Sequence, residues 1–66
     1  MNVFINGVKR SYKSNLTLEK LLIKLGHAKN KVAVEVNEEI IPRSQLGNKL
    51  VVDGDKIEII IAVGGG

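Results

Sequence analysis

The sequence contains no cysteine and no tryptophan, and its 66 residues include only one proline, one histidine and one methionine. Without cysteine the chain has no disulfide, no thiolate nucleophile and no cysteine-based metal site. A single histidine, His27, cannot build a catalytic triad or a histidine metal centre. We therefore expect no catalytic residues, no metal site and no bound cofactor, which is not the composition of an enzyme acting by itself.

Aromatic residues and long apolar runs are also scarce. Phe4 and Tyr12 are the only aromatic residues, whereas nucleic-acid binding usually needs aromatic side chains among clustered basic ones. The longest apolar run falls far short of the roughly 20 residues that span a bilayer, and the first ten residues do not resemble a signal peptide. We expect a cytoplasmic protein that binds neither nucleic acid nor membrane.

Charge is present but unevenly distributed. Residues 1–31 hold seven Lys or Arg and one acidic residue, whereas residues 32–66 hold three Lys or Arg and six acidic residues. Such a split can orient a charged partner during encounter. Because the lysines are scattered singly, a solvated surface explains it as well, and the sequence does not assign the split a role.

A hairpin opens the chain. Asn6-Gly7 separates two strand-like segments, and this dipeptide favours a type I′ turn because both central residues need positive φ. The pattern predicts strands over residues 2–5 and 8–13.

A helix follows at residues 18–25, where leucines recur at i, i+3, i+4 and i+7. Thr17 is the expected N-cap, Glu19 complements the helix dipole, and Gly26 suits the left-handed residue after the helix.

The remaining pattern is that of strands joined by turns. We expect Leu46, in the connector, to plug the core. The predicted strands are 32–36, 39–41, a brief one at 50–52, and a last strand at 56–63.

This order of elements defines a fold class. One helix cannot cover both faces of a sheet, so it should pack on one face of a mixed sheet of four to five strands. The last strand, the most apolar, should be central and lie beside the first. The arrangement is the α+β fold called β-grasp, or ubiquitin-like, and we expect it over residues 1–63, with a flexible glycine tail at 64–66.

Alternation along the first and last strands predicts an exposed patch. Phe4 and Ile60 point away from the helix, whereas the core face of the last strand holds Ile57, Ile59 and Ile61. We interpret Phe4 and Ile60 as a candidate partner surface, the alternative being that the connector loop covers them.

The tail of Gly64, Gly65 and Gly66 follows a strand expected to be buried. Residues 63–66 reach about 13 Å when extended, and three residues without Cβ form a thread that can enter a tunnel closed to side chains. Ordering four residues costs on the order of 4–8 kcal/mol, which a partner's pocket must offset. The tail would thus deliver one group, the Gly66 α-carboxylate.

Three features together resemble one family. These are VNEEIIPR at 36–43, DGDKIEII at 53–60 and the final glycines, within a short β-grasp pattern. In this order they resemble the ThiS family of sulfur carriers in thiamine biosynthesis. The family's terminal Gly-Gly is matched by Gly65 and Gly66, while Gly64 stands where other residues occur.

The resemblance implies that a ThiF-like adenylyltransferase uses ATP to adenylate Gly66. A sulfur donor then converts it to a thiocarboxylate, and a ThiG-like thiazole synthase takes the sulfur. Three alternatives remain: a MoaD-like small subunit of molybdopterin synthase, a protein-conjugating modifier, and a β-grasp interaction module without a carrier role.

Overall fold

The computed structural model describes residues 1–61, so the predicted tail and the last two residues of the predicted final strand lie outside the described residues. The elements follow the predicted order. They are β1 (Asn2–Ile5), β2 (Val8–Ser11), α1 (Leu18–Lys24), β3 (Val32–Val36), β4 (Glu39–Ile41) and β5 (Lys56–Ile61), with 3₁₀ helices at Lys29–Lys31 and Arg43–Gln45.

The five strands form one mixed sheet in the order β2-β1-β5-β3-β4. β5 is central, as predicted: it runs parallel to β1 and antiparallel to β3. The parallel contact pairs Ile5 with Ile57, whereas the antiparallel contact extends over five pairs as far as Ile61. β5 therefore pairs with β3 over five residues and with β1 over only two.

The caps of α1 explain where the helix begins and ends. The Thr17 side chain accepts a hydrogen bond from the Lys20 amide at 3.2 Å. After the helix, the Gly26 amide donates to the Ile23 carbonyl and the His27 amide donates to the Leu22 carbonyl. With φ of +83° at Gly26, this is a Schellman motif, which satisfies carbonyls that the helix leaves free.

The core lies between α1 and one face of the sheet. The strands contribute the alternate residues that face the helix, and the helix contributes one leucine stripe. Leu46 is 1% exposed, as expected of a side chain that plugs the core from the connector. The buried apolar residues are Val3, Ile5, Leu16, Leu18, Leu21, Leu22, Val32, Val34, Val36, Leu46, Val51, Ile57 and Ile59.

Three details of the sequence-based prediction are corrected. The brief strand at 50–52 does not form: Leu50 makes an isolated bridge to Thr17, and only Val51 of the three is buried. β2 ends at Ser11 rather than at residue 13, although Tyr12 and Met1 still exchange two hydrogen bonds. Ile61 was expected on the core face but is 56% exposed, because it stands at the last rung of the β3–β5 pairing.

Leu46→Ala tests the plug. Removing a fully buried leucine side chain leaves a cavity, and we expect a loss of about 2–5 kcal/mol in the free energy of unfolding, measured by urea denaturation. Leu50→Ala is the matched control, because Leu50 is 53% exposed; its effect should stay within about 0.5 kcal/mol. Equal effects of the two changes would contradict the assigned role of Leu46.

Candidate functional site

The site is built around β5, the strand that leads to the glycine segment. Its first half is held on both edges. The Asn37 amide donates to the Lys56 carbonyl at 2.8 Å, and the Lys56 amide donates to the Asn37 side-chain oxygen at 3.0 Å. On the opposite edge the Phe4 amide donates to the Asp55 carbonyl at 2.9 Å. β5 therefore begins from a fixed position.

Asp55 secures the turn that precedes β5. Its carboxylate accepts hydrogen bonds from the Val52 amide at 2.8 Å and from the Asn37 side-chain amide at 3.0 Å. It is 8% exposed, and these donors compensate for its burial. Asp53 and Gly54 form this turn, and no local sequence pattern distinguishes Asp55 as a structural carboxylate.

Asn6 holds β5 further along. Its side-chain oxygen accepts from the Ile59 amide at 2.7 Å, and its side-chain nitrogen donates to the Ile59 carbonyl at 3.2 Å. Asn6 and Gly7 have φ of +49° and +83°, as the predicted type I′ turn requires. The turn was predictable from Asn6-Gly7; the bonds to a strand 53 residues away carry no local sequence signal.

Phe4 and Ile60 lie on the sheet face opposite α1, which we call the helix-free face. Phe4 is 37% and Ile60 is 50% exposed, so no loop covers either completely. The register nevertheless separates them: Phe4 pairs with Lys56, whereas Ile60 pairs with Ala33. Four residues of β5 span about 13 Å, so the two side chains do not form one continuous patch.

The surroundings of the two residues differ in character. Lys9 pairs with Phe4 across β1 and β2, which places Phe4 between two lysines. Glu58 follows on the same face of β5 and pairs with Glu35 of β3. The helix-free face thus runs from a basic end at Phe4, across two carboxylates, to an apolar end at Ile60.

His27 and the acidic residues are the remaining side chains with possible catalytic or metal-binding chemistry. His27 is half-buried just after α1, and its backbone serves the helix cap. Within residues 1–61 there is no group of three or more His, Asp or Glu side chains arranged to hold a metal ion. The same stretch has no helix long and apolar enough to cross a membrane. Gly64, Gly65 and Gly66 of the predicted site lie outside the described residues.

These features define a class: a β-grasp domain whose central strand leads to a glycine-rich end. The family model for the ThiS family matches residues 3–66, and the chain belongs to this family. The thiamine biosynthesis protein (ThiS) of Geobacter metallireducens superposes with a TM-score of 0.85 at 33% identity, over 100% of both chains. The sulfur carrier protein ThiS of Escherichia coli is 29% identical over 100% of both chains.

A further relative is a longer protein. The thiazole synthase of Paramagnetospirillum magneticum is 47% identical over all 66 residues, which make up 20% of its own length. The chain spans about a fifth of the thiazole synthases that it matches. In these proteins a segment similar to the whole of this chain is part of the same polypeptide as the rest of a thiazole synthase.

Proposed function

We propose that this protein carries sulfur for thiazole formation in thiamine biosynthesis, with the Gly66 carboxylate as the group that is modified. The observation that carries the proposal is that the ThiS family match runs from residue 3 through residue 66, and so includes Gly65 and Gly66. The protein is then a co-substrate of other enzymes rather than a catalyst.

The proposed chemistry follows from the reactivity of a carboxylate, which resists nucleophiles until it has a leaving group. A carboxylate oxygen of Gly66 attacks the α-phosphorus of ATP and releases pyrophosphate, which leaves an acyl adenylate. A sulfur nucleophile then adds to the carbonyl carbon and displaces AMP, giving the thiocarboxylate. A ThiF-like adenylyltransferase supplies the site for activation, and glycine suits it because no side chain crowds the carbonyl.

The proposed acceptor enzyme is a ThiG-like thiazole synthase. Support comes from the two thiazole synthases that contain a segment similar to this whole chain. A carrier and its acceptor in one polypeptide meet at a high effective concentration, which is a reason for such a fusion.

We propose that the apolar end of the helix-free face is the surface that binds the ThiF-like adenylyltransferase. Ile60 is half-exposed and lies four residues before the first glycine of the tail. A partner that takes in the tail must approach the end of β5, which brings it against Ile60. Phe4 lies about 13 Å back along the sheet, within the dimensions of one interface.

The carrier role is tested by intact-mass spectrometry. The purified protein is incubated with ATP, sulfide and a ThiF-type enzyme that is active on its own carrier. We expect the mass gain of one oxygen-to-sulfur exchange, located at Gly66 by fragmentation. A variant lacking Gly65 and Gly66 should show no gain in mass, because its terminal carboxylate lies two residues closer to β5.

Two results would overturn the carrier proposal. One is an unchanged mass with the competent enzyme. The other is full function in the deletion variant, which the interaction-module alternative predicts. Adducts on lysines of other proteins would instead support a conjugating modifier.

The partner surface is tested by Ile60→Asp. A charge at the centre of an apolar contact should weaken binding to the ThiF-type enzyme about tenfold or more, as measured by calorimetry. Phe4→Ala should weaken it less, because Phe4 is less exposed and more distant from the end of β5. Ile23→Asp is the matched control, since Ile23 is 67% exposed but lies on α1.

All three variants should keep the circular dichroism spectrum of the parent chain, because they alter exposed or half-exposed side chains. If Ile60→Asp binds like Ile23→Asp, the helix-free face is not the partner surface. If Ile60→Asp unfolds the domain, Ile60 belongs to the core instead.

A further inference from the structure

The parallel contact between β1 and β5 ends early. Its last pair is Ile5 with Ile57, after which the chain reverses at Asn6, while β5 continues to Ile61. The amide and carbonyl of one strand residue point toward the same neighbouring strand. Because the backbone groups of Ile57 face β1, those of Ile59 face the same edge, where β1 has already turned away.

Asn6 supplies the missing rung with its side chain. The backbone amide of Asn6 donates to the Ile57 carbonyl at 2.9 Å, as in a regular parallel ladder. The side-chain oxygen and nitrogen then bond to the amide and carbonyl of Ile59 at 2.7 Å and 3.2 Å. One residue therefore makes three hydrogen bonds to β5 and extends its bonding on this edge by two residues.

The residue type at position 6 meets two demands at once. The turn needs positive φ, which Gly, Asn and Asp tolerate best. Bonding both groups of Ile59 needs one donor and one acceptor on a short side chain. Asn provides both, Asp provides acceptors only, and Gly provides neither.

We propose that Asn6 is a positioning residue for the reaction at Gly66. By fixing Ile59, Asn6 sets the position and direction of the end of β5, and it keeps Ile60 on the helix-free face. The inference rests on the proposed carrier function and assigns to that function a residue far from the tail in sequence.

The expected effect is on the Michaelis constant rather than on turnover. Without the Asn6 side chain, the end of β5 has a hydrogen-bonded neighbour on one edge only, and a partner must order more of the chain as it binds. Ordering one additional residue corresponds to about a tenfold change in an equilibrium constant. Once Gly66 is seated in the partner, its chemistry does not involve Asn6, so kcat should stay the same.

Asn6→Gly removes both side-chain bonds and keeps the positive φ that the turn needs. Asn6→Asp keeps an acceptor for the Ile59 amide and loses the donor to its carbonyl. The matched control is Asn15→Gly, because Asn15 also has positive φ, +62°, but lies in the loop before α1. Circular dichroism and NMR establish the folded fraction of each variant, and kinetics are measured where that fraction is complete.

Two measurements are made on each protein: hydrogen exchange of the Ile59 amide by NMR, and pyrophosphate release with a ThiF-type enzyme. For Asn6→Gly we expect exchange at Ile59 to accelerate about tenfold and KM to rise about tenfold, with kcat within twofold of the parent. Asn6→Asp should lie between Asn6→Gly and the parent, and Asn15→Gly should match the parent.

Each other outcome has a definite meaning. Faster exchange at Ile59 with an unchanged KM would overturn the positioning role. Unchanged exchange would show that the Asn6 side chain does not hold Ile59. If the parent protein is not adenylated by the competent enzyme, the proposed carrier function fails, whereas the exchange data still decide whether Asn6 holds β5.

Discussion

The rest of the structure depends on the central place of β5. This strand is hydrogen-bonded on both edges and buries Ile57 and Ile59 against the helix, so it joins two hairpins that otherwise do not touch within the sheet. β1 and β2 lie on one side, and β3 and β4 lie on the other. A chain of this size has one small core, and a strand shared by both halves lets each stabilise the other. It also leads the chain from the centre of the sheet toward the glycine segment.

The proposed carrier function requires few reactive side chains in the folded domain itself. The described residues provide a stable platform and an exposed sheet face, whereas the proposed function leaves activation of Gly66 and sulfur transfer to partner enzymes. Under that proposal, a residue that is only delivered to another enzyme requires no base, nucleophile or metal beside it.

Local signals predicted most of the fold but not the contacts that hold β5. The leucine spacing, the Thr17 cap and the Asn6-Gly7 turn are short-range features, and the helix and the hairpin turn that they predict are observed. The apolar residues Leu50 and Val52 suggested a strand, but both are exposed. Only Val51 between them is buried, which fits a loop attached to the core by one side chain. The helix-free face was predictable from alternation, but the offset of Phe4 from Ile60 was not. Register depends on which residues pair across strands, and the sequence of one strand does not contain that information.

The two hairpin turns both form side-chain hydrogen bonds to β5, at different points along the strand. Asn6 and Asn37 each occupy the first position of a two-residue turn with positive φ, one on each side of the central strand. Each directs its side-chain oxygen to a backbone amide of β5, that of Ile59 and that of Lys56 respectively. A hairpin turn normally needs only backbone conformation, for which glycine would serve. Asparagine at both positions adds hydrogen bonds to the strand where the neighbouring strands have ended, so the element that carries the tail is held along more of its length than strand pairing alone allows.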